Sequence, residues 1–172
     1  MLRARFVLAA AIATAFWPSV AAAQRAVFVV RHAEKQSDGS EKEIPLSAVG
    51  QQRAARLAQM LRSAGVTAIY ATDTVRARDT AAPLAREANL GVKIYDTRDA
   101  KGNMTAEPLV ARLKADEKDG VVLVVGHSNT VPDVLTAYGY PETVRIGSDE
   151  YGDLLVLVPQ AAGRPVVVRL KF

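Results

Sequence analysis

The chain holds two histidines, His32 and His127, and each lies just beyond a run of valines. The first run is Ala26-Val27-Phe28-Val29-Val30, followed by Arg31-His32. The second is Val121-Val122-Leu123-Val124-Val125, followed by Gly126-His127. Histidine is the side chain whose ordinary pKa lies nearest neutrality, so two imidazoles at equivalent positions suit proton transfer or nucleophilic attack. A lone histidine after a strand is ordinarily a polar loop residue; two out of two, each among further polar groups, point to a shared site. A third segment, Thr72 to Thr80, adds Arg76 and Arg78. A guanidinium fork matches phosphate oxygens two at a time, and a helix N-terminus favours an anion. Histidines, arginines and helix starts together make a pocket for a phosphoryl group. The sequence has no carboxylate cluster, no histidine pair at i,i+4 spacing and no Walker-type glycine loop. No metal and no cofactor is therefore expected.

The elements that must carry these residues can be read from the same runs. Short, uninterrupted, β-branched segments read as strands buried on both faces of a parallel sheet. Ligands bind outside the carboxyl ends of such strands, which places His32 and His127 on one rim. Ser47 is a fair N-cap for a helix with Ala54, Leu57, Ala58 and Leu61 on its apolar face, ending at Gly65. Thr67 to Ala71 reads as the second strand. A helix follows from Thr72, Asp73 or Thr74 toward Ala88, with Pro83 expected to kink or restart it. Val92 to Tyr95 is the third strand, and Glu107 to about Ala115 a short helix. Thr130 to Tyr138 is a helix opening at the second histidine motif. Leu154 to Val158 and Val166 to Leu170 look like a terminal antiparallel pair. The alternation predicts a three-layer α/β/α sandwich with a mostly parallel sheet.

Composition bounds the rest. Arg3 and Arg5, an apolar stretch from Phe6 to Trp17 and the ending Ala21-Ala22-Ala23 are expected to form a secretory signal peptide, residues 1–23. The apolar stretch is well short of the roughly 20 residues a spanning helix needs, so stable membrane insertion after cleavage is not expected. Residues 24–172 then form one domain. Loss of the leader leaves a net charge of +2, with basic residues scattered along the chain, which argues against a nucleic-acid partner. The chain has no cysteine, so the exported domain must rely on its apolar core.

Four segments resemble the signature of the histidine phosphatase superfamily, the phosphoglycerate mutase-like fold. Arg31-His32-Ala33-Glu34 is similar to its Arg-His-Gly-Glu motif, and Leu46-Ser47-x-x-Gly50 to its Leu-Thr-x-x-Gly segment. Tyr70-Ala71-Thr72-Asp73 with Arg76-Ala77-x-x-Thr80-Ala81 is similar to its Ser-Ser-x-x-x-Arg-Ala-x-x-Thr-Ala segment, and Gly126-His127 to its Gly-His motif. They fall in the family's order between about Ala26 and Tyr138. The resemblance implies that His32 takes the phosphoryl group as a phosphohistidine while Arg31, Arg76 and His127 surround its oxygens. A nucleophilic imidazole must be neutral at its reacting nitrogen, so its other nitrogen should donate to a backbone carbonyl. Arg78, two residues past Arg76, points elsewhere on a helix.

Two departures stand out. Ala33 replaces the usual glycine and is tolerated if its φ is negative. The family's general acid, usually a carboxylate after the third strand, has no clear match; Asp96, Asp99 and Glu107 lie in the region, and Asp99 is placed first because it sits four residues past Tyr95. The expected function is an exported, periplasmic or secreted phosphatase acting on a small phosphorylated substrate. Two alternatives stay open: a phospho-ligand-binding protein without turnover, and a two-histidine phosphodiesterase without a covalent intermediate.

Overall fold

A computed structural model describes residues 25–172. The expected leader, residues 1–23, lies outside them. Strands β1 (Ala26–Arg31), β2 (Ala68–Thr72), β3 (Val92–Tyr95), β4 (Val121–Gly126), β5 (Asp153–Val158) and β6 (Val166–Lys171) form one sheet in the order β3-β2-β4-β1-β5-β6. The first four strands in that order run parallel; β5 pairs antiparallel with β1, and β6 with β5. Helices α1 (Ala48–Leu61), α2 (Val75–Glu87), α3 (Glu107–Asp116) and α4 (Thr130–Ala137) cover the two faces.

The layering follows from the strand order. The chain moves outward from β1 through β2 to β3, then reverses to β4. Right-handed crossovers therefore put α1 and α2 on one face and α3 on the other, where α4 joins it. Alternation along the strands feeds both cores. Val27, Val29, Val122 and Val124 pack with Leu109, Leu113, Val131 and Leu135 on the α3–α4 side. Val30, Ile69, Leu123 and Val125 pack with Leu57, Leu61, Ala81 and Leu84 on the α1–α2 side. The valine runs are buried on both faces, as parallel strands under helices must be.

Local signals set the element ends. The Ser47 hydroxyl caps α1 by accepting from Gly50 N at 3.1 Å, and the Thr74 hydroxyl caps α2 by accepting from Ala77 N. α1 ends at Leu61, and Gly65 closes the turn that follows it in the left-handed conformation, with φ +69°. α2 runs through Pro83 to Glu87 and does not restart there. Ala81, Leu84 and Ala85 are buried around it, and that packing holds the helix together despite a penalty of roughly 3 kcal/mol for an interior proline.

The register positions the chemistry. β1 and β4 are neighbours paired Val30↔Val125 and Arg31↔Gly126, so His32 and His127 leave the sheet side by side. β2 lies on the other side of β4, paired Ala71↔Val125, which brings Thr72 level with Gly126. No helix among the described residues is long and apolar enough to cross a membrane.

Candidate active site

His32 is buried at the end of β1, where its backbone N–H donates to Gly126 O at 2.8 Å and extends the β1–β4 ladder. Its Nδ1 lies 2.8 Å from Ala33 O. A carbonyl only accepts, so Nδ1 carries the hydrogen and Nε2 presents its lone pair. Arg76 Nε donates to that Nε2 at 3.1 Å. Burial is the main reason the imidazole pKa is pushed down to about 3; His127, Arg76 and Arg31 push the same way, against the Ala33 hydrogen bond. The ring is neutral at physiological pH, with the tautomer that nucleophilic attack through Nε2 requires.

His127 presents its ring edge-on to His32, with centroids 5.2 Å apart. Its Nε2 shares a 2.9 Å hydrogen bond with Thr72 Oγ1. Its pKa is lowered to about 4, by burial first and then by Arg76. Gly126 before it has no room for a side chain: a Cβ would lie 2.5 Å from Thr130 Oγ1 and 2.9 Å from Tyr95 Oη. Thr130 Oγ1 in turn accepts from His127 N at 2.8 Å, tying the histidine to the start of α4.

Arg76 is buried on the inner face of α2, beside His32. Arg78 is turned outward and pairs with Asp73, so the two arginines divide as their spacing predicts. One turn on, Thr80 Oγ1 donates to Arg76 O at 2.7 Å and accepts from Ala33 N at 2.9 Å, joining α2 to the loop after His32. Ala33 is fully buried and is not among the residues with positive φ, which is why it can stand where glycine was expected. The Leu-Ser-x-x-Gly segment belongs to the same joint. Ser47 N donates to Glu34 O at 2.9 Å, and a Cβ on Gly50 would lie 2.1 Å from that oxygen. Glu34 itself is engaged by Arg53 through both carboxylate oxygens, at 2.6 to 2.9 Å.

Arg31 is buried next to His32, but its Nη1 is committed to three carbonyls of the loop before β5: Gly147 and Ser148 at 2.7 Å and Glu150 at 3.1 Å. Its guanidinium carbon lies 4.0 Å from the Tyr151 ring centroid, and Tyr151 is 6.0 Å from the His32 ring. Arg31 Nε is buried without a partner among the described residues. Sequence reasoning assigned nothing to residues 139–152, which lack periodicity and so conceal Tyr151.

Asp99 departs from its expected place. Its carboxylate accepts from Lys101 N and Asn103 N at 2.8 Å and from Asn103 Nδ2 at 3.0 Å. These bonds, the Asn103 amide foremost, hold its pKa below the usual carboxylate value. It closes its own turn through the local acceptor habit of aspartate. Glu107 opens α3. Of the three acids, Asp96 lines a cleft that reaches His127, a space of about 430 Å³ bounded also by Thr72, Thr74, Tyr95 and Thr97. A further carboxylate reaches the site unannounced: Glu41, from the loop between β1 and α1, lies on Arg76 with Oε1 2.7 Å from Nη2.

Comparison with known proteins agrees with this geometry. Residues 27–98, which include His32 and Arg76, match the model of the histidine phosphatase superfamily (branch 1). Solved structures with the same fold include the protein histidine phosphatase SixA complexed with tungstate, 19% identical, covering 85% of this chain and 96% of that one with a TM-score of 0.66. A mycobacterial glucosyl-3-phosphoglycerate phosphatase with bound vanadate is 19% identical over 83% of this chain and 97% of its own, with a TM-score of 0.63. A phosphoserine phosphatase from Entamoeba histolytica is 17% identical over 86% and 96%, with a TM-score of 0.64. Residues 27–98 thus match the histidine phosphatase superfamily model, and the described chain shares the fold of these phosphatases.

Proposed function

We propose that the protein is an exported phosphatase that hydrolyses a small phosphomonoester through a phosphohistidine on His32, without a metal. The observation that carries this reading is the His32 hydrogen-bond pair: Nδ1–H is fixed on Ala33 O, and bare Nε2 faces the Arg76 guanidinium. In the first step the Nε2 lone pair forms the N–P bond as the ester P–O bond breaks. The leaving oxygen takes a proton from a nearby acid or from water. In the second step water attacks phosphorus, the N–P bond returns its electrons to Nε2, and inorganic phosphate leaves. Phosphoryl transfer of this kind is mostly positioning and charge stabilisation. Arg76, His127 and the unpartnered Nε of Arg31 would supply the donors around the transferring oxygens.

Family neighbours whose names describe them as phosphatases of a protein histidine, a sugar-linked phosphoglycerate and phosphoserine support a phosphoryl substrate of modest size. The leader motif Ala21-Ala22-Ala23 supports export, tested by N-terminal sequencing of the exported protein, which should begin at Gln24 and not at Met1.

One observation favours a second reading. Among the described residues the His32 ring bonds to Ala33 O and Arg76 and to no carboxylate, so a binding protein with little turnover is the alternative. Quenching the purified chain with a labelled phosphomonoester decides among the three classes. Label on His32, lost in His32→Ala, together with turnover in the presence of chelator, supports the phosphatase. Binding without turnover supports the second reading. Cleavage without label supports a phosphodiesterase-type acid–base reaction and overturns the proposal.

A further inference from the structure

Every nitrogen of the Arg76 guanidinium is already engaged. Nε donates to His32, Nη1 donates to the backbone carbonyl of Glu41, and Nη2 donates to Glu41 Oε1 at 2.7 Å. Arg76 is 5% exposed at its side chain while Glu41 is 70% exposed, so a buried cation holds the tip of a surface loop. Lys35 Nζ takes the second carboxylate oxygen at 3.1 Å. The next residue fastens the loop to the start of α2: Lys42 Nζ lies 2.5 Å from Asp73 Oδ2, and Lys42 O accepts from Val75 N at 3.0 Å. The loop thus delivers a planar anion to the guanidinium that bonds His32 Nε2.

We propose that Glu41 is a specificity-determining residue: a tethered carboxylate that holds the anion position on Arg76 and yields it only to an anion of higher charge. This rests on the reading of Arg76 as a phosphoryl ligand. A monoanion that replaces Glu41 gains no net Coulomb energy, and it must also outcompete a carboxylate held at high effective concentration by the Lys42 fastening beside it. A dianionic phosphoryl group brings one more charge to Arg76 and takes further donors from His127 and Arg31. The exchange admits dianionic phosphoryl groups and screens out monoanionic carboxylates and halides. Glu41 also leaves with its charge intact, so the displaced carboxylate is free to pair with Lys35 alone.

The test is tungstate binding by titration calorimetry to the purified chain and to Glu41→Gln, Glu41→Ala and Arg76→Ala, with acetate as competitor. Exposed ion pairs are worth up to about 1 kcal/mol, so removing the competitor should tighten tungstate binding by about fivefold in both Glu41 variants. Acetate should compete with tungstate in these variants and not in the wild type. On adding tungstate to the wild type, hydrogen exchange at Val75 N should speed up as its bond to Lys42 O is released. Equal tungstate affinity with and without Glu41, abolished by Arg76→Ala, would overturn the competitor and leave the phosphoryl site standing. Binding that is absent everywhere, or indifferent to Arg76→Ala, would overturn both.

Discussion

Replacing Arg76 by alanine removes the cation that contacts His32, the proposed nucleophile. Its Nε is 3.1 Å from His32 Nε2, so a phosphoryl group in transfer would lie about 4 Å from the guanidinium charge. Two unit charges at that distance interact by about 4 kcal/mol at an effective dielectric of about 20. Displacing Glu41, a mostly exposed partner, returns up to about 1 kcal/mol of this. The net of about 3 kcal/mol corresponds to a loss of roughly two orders of magnitude in kcat/KM. The fold should survive, because the Thr80 hydroxyl still joins α2 to Ala33, and Val75 N still joins it to Lys42 O, when the Arg76–Glu41 contacts are lost. The assay is hydrolysis of p-nitrophenyl phosphate by Arg76→Ala, with Arg78→Ala as control and thermal unfolding of both. Arg78 pairs with Asp73 at the surface, and its loss should change kcat/KM by less than threefold, about 0.6 kcal/mol. A loss below about tenfold for Arg76→Ala, or an equal loss for Arg78→Ala, would refute the assignment of the phosphoryl-binding arginine.

Two further predictions follow from the same geometry. The folded-state pKa values of His32 and His127, about 3 and about 4, lie below the ordinary histidine value of 6.5. Each therefore contributes stability that is complete above pH 6.5 and is lost as the pH falls from there through the folded value. At pH 5 the loss is about 2 kcal/mol per histidine. Denaturant unfolding at pH 7 and pH 5 should show a smaller pH effect in His32→Asn than in the wild type, and an unchanged effect would contradict the buried neutral imidazole. For the leaving-group proton, Asp96→Asn should impair hydrolysis of an alkyl phosphate more than that of p-nitrophenyl phosphate, whose leaving group needs no proton. Asp99→Asn, which loosens a surface turn, should leave the ratio of the two rates as in wild type; a selective loss in Asp99→Asn would restore it as the acid.

Much of the fold is legible in the chain because its signals are local. The valine runs, the Ser47 and Thr74 hydroxyls and the glycine at 65 act on neighbours within a few residues, so strands, caps and helix ends follow from order along the sequence. The His32–His127 pairing is legible too, since parallel strands under helices deliver both residues to one rim. Spacing alone separates Arg76 from Arg78, because two positions on a helix differ by more than half a turn. What only the tertiary structure decides depends on long-range closure. The partners of Arg31 lie more than 110 positions away in a loop with no periodic signal. Glu41 reaches Arg76 across 35 positions by the path of an irregular loop. Asp99 is near the rim in sequence, yet its short side chain finds nearer N–H donors in its own turn and is spent there. Periodicity reports which face of an element is buried; it carries no information about where a loop's polar groups find their partners, and in this protein those partners decide which charges stand around His32.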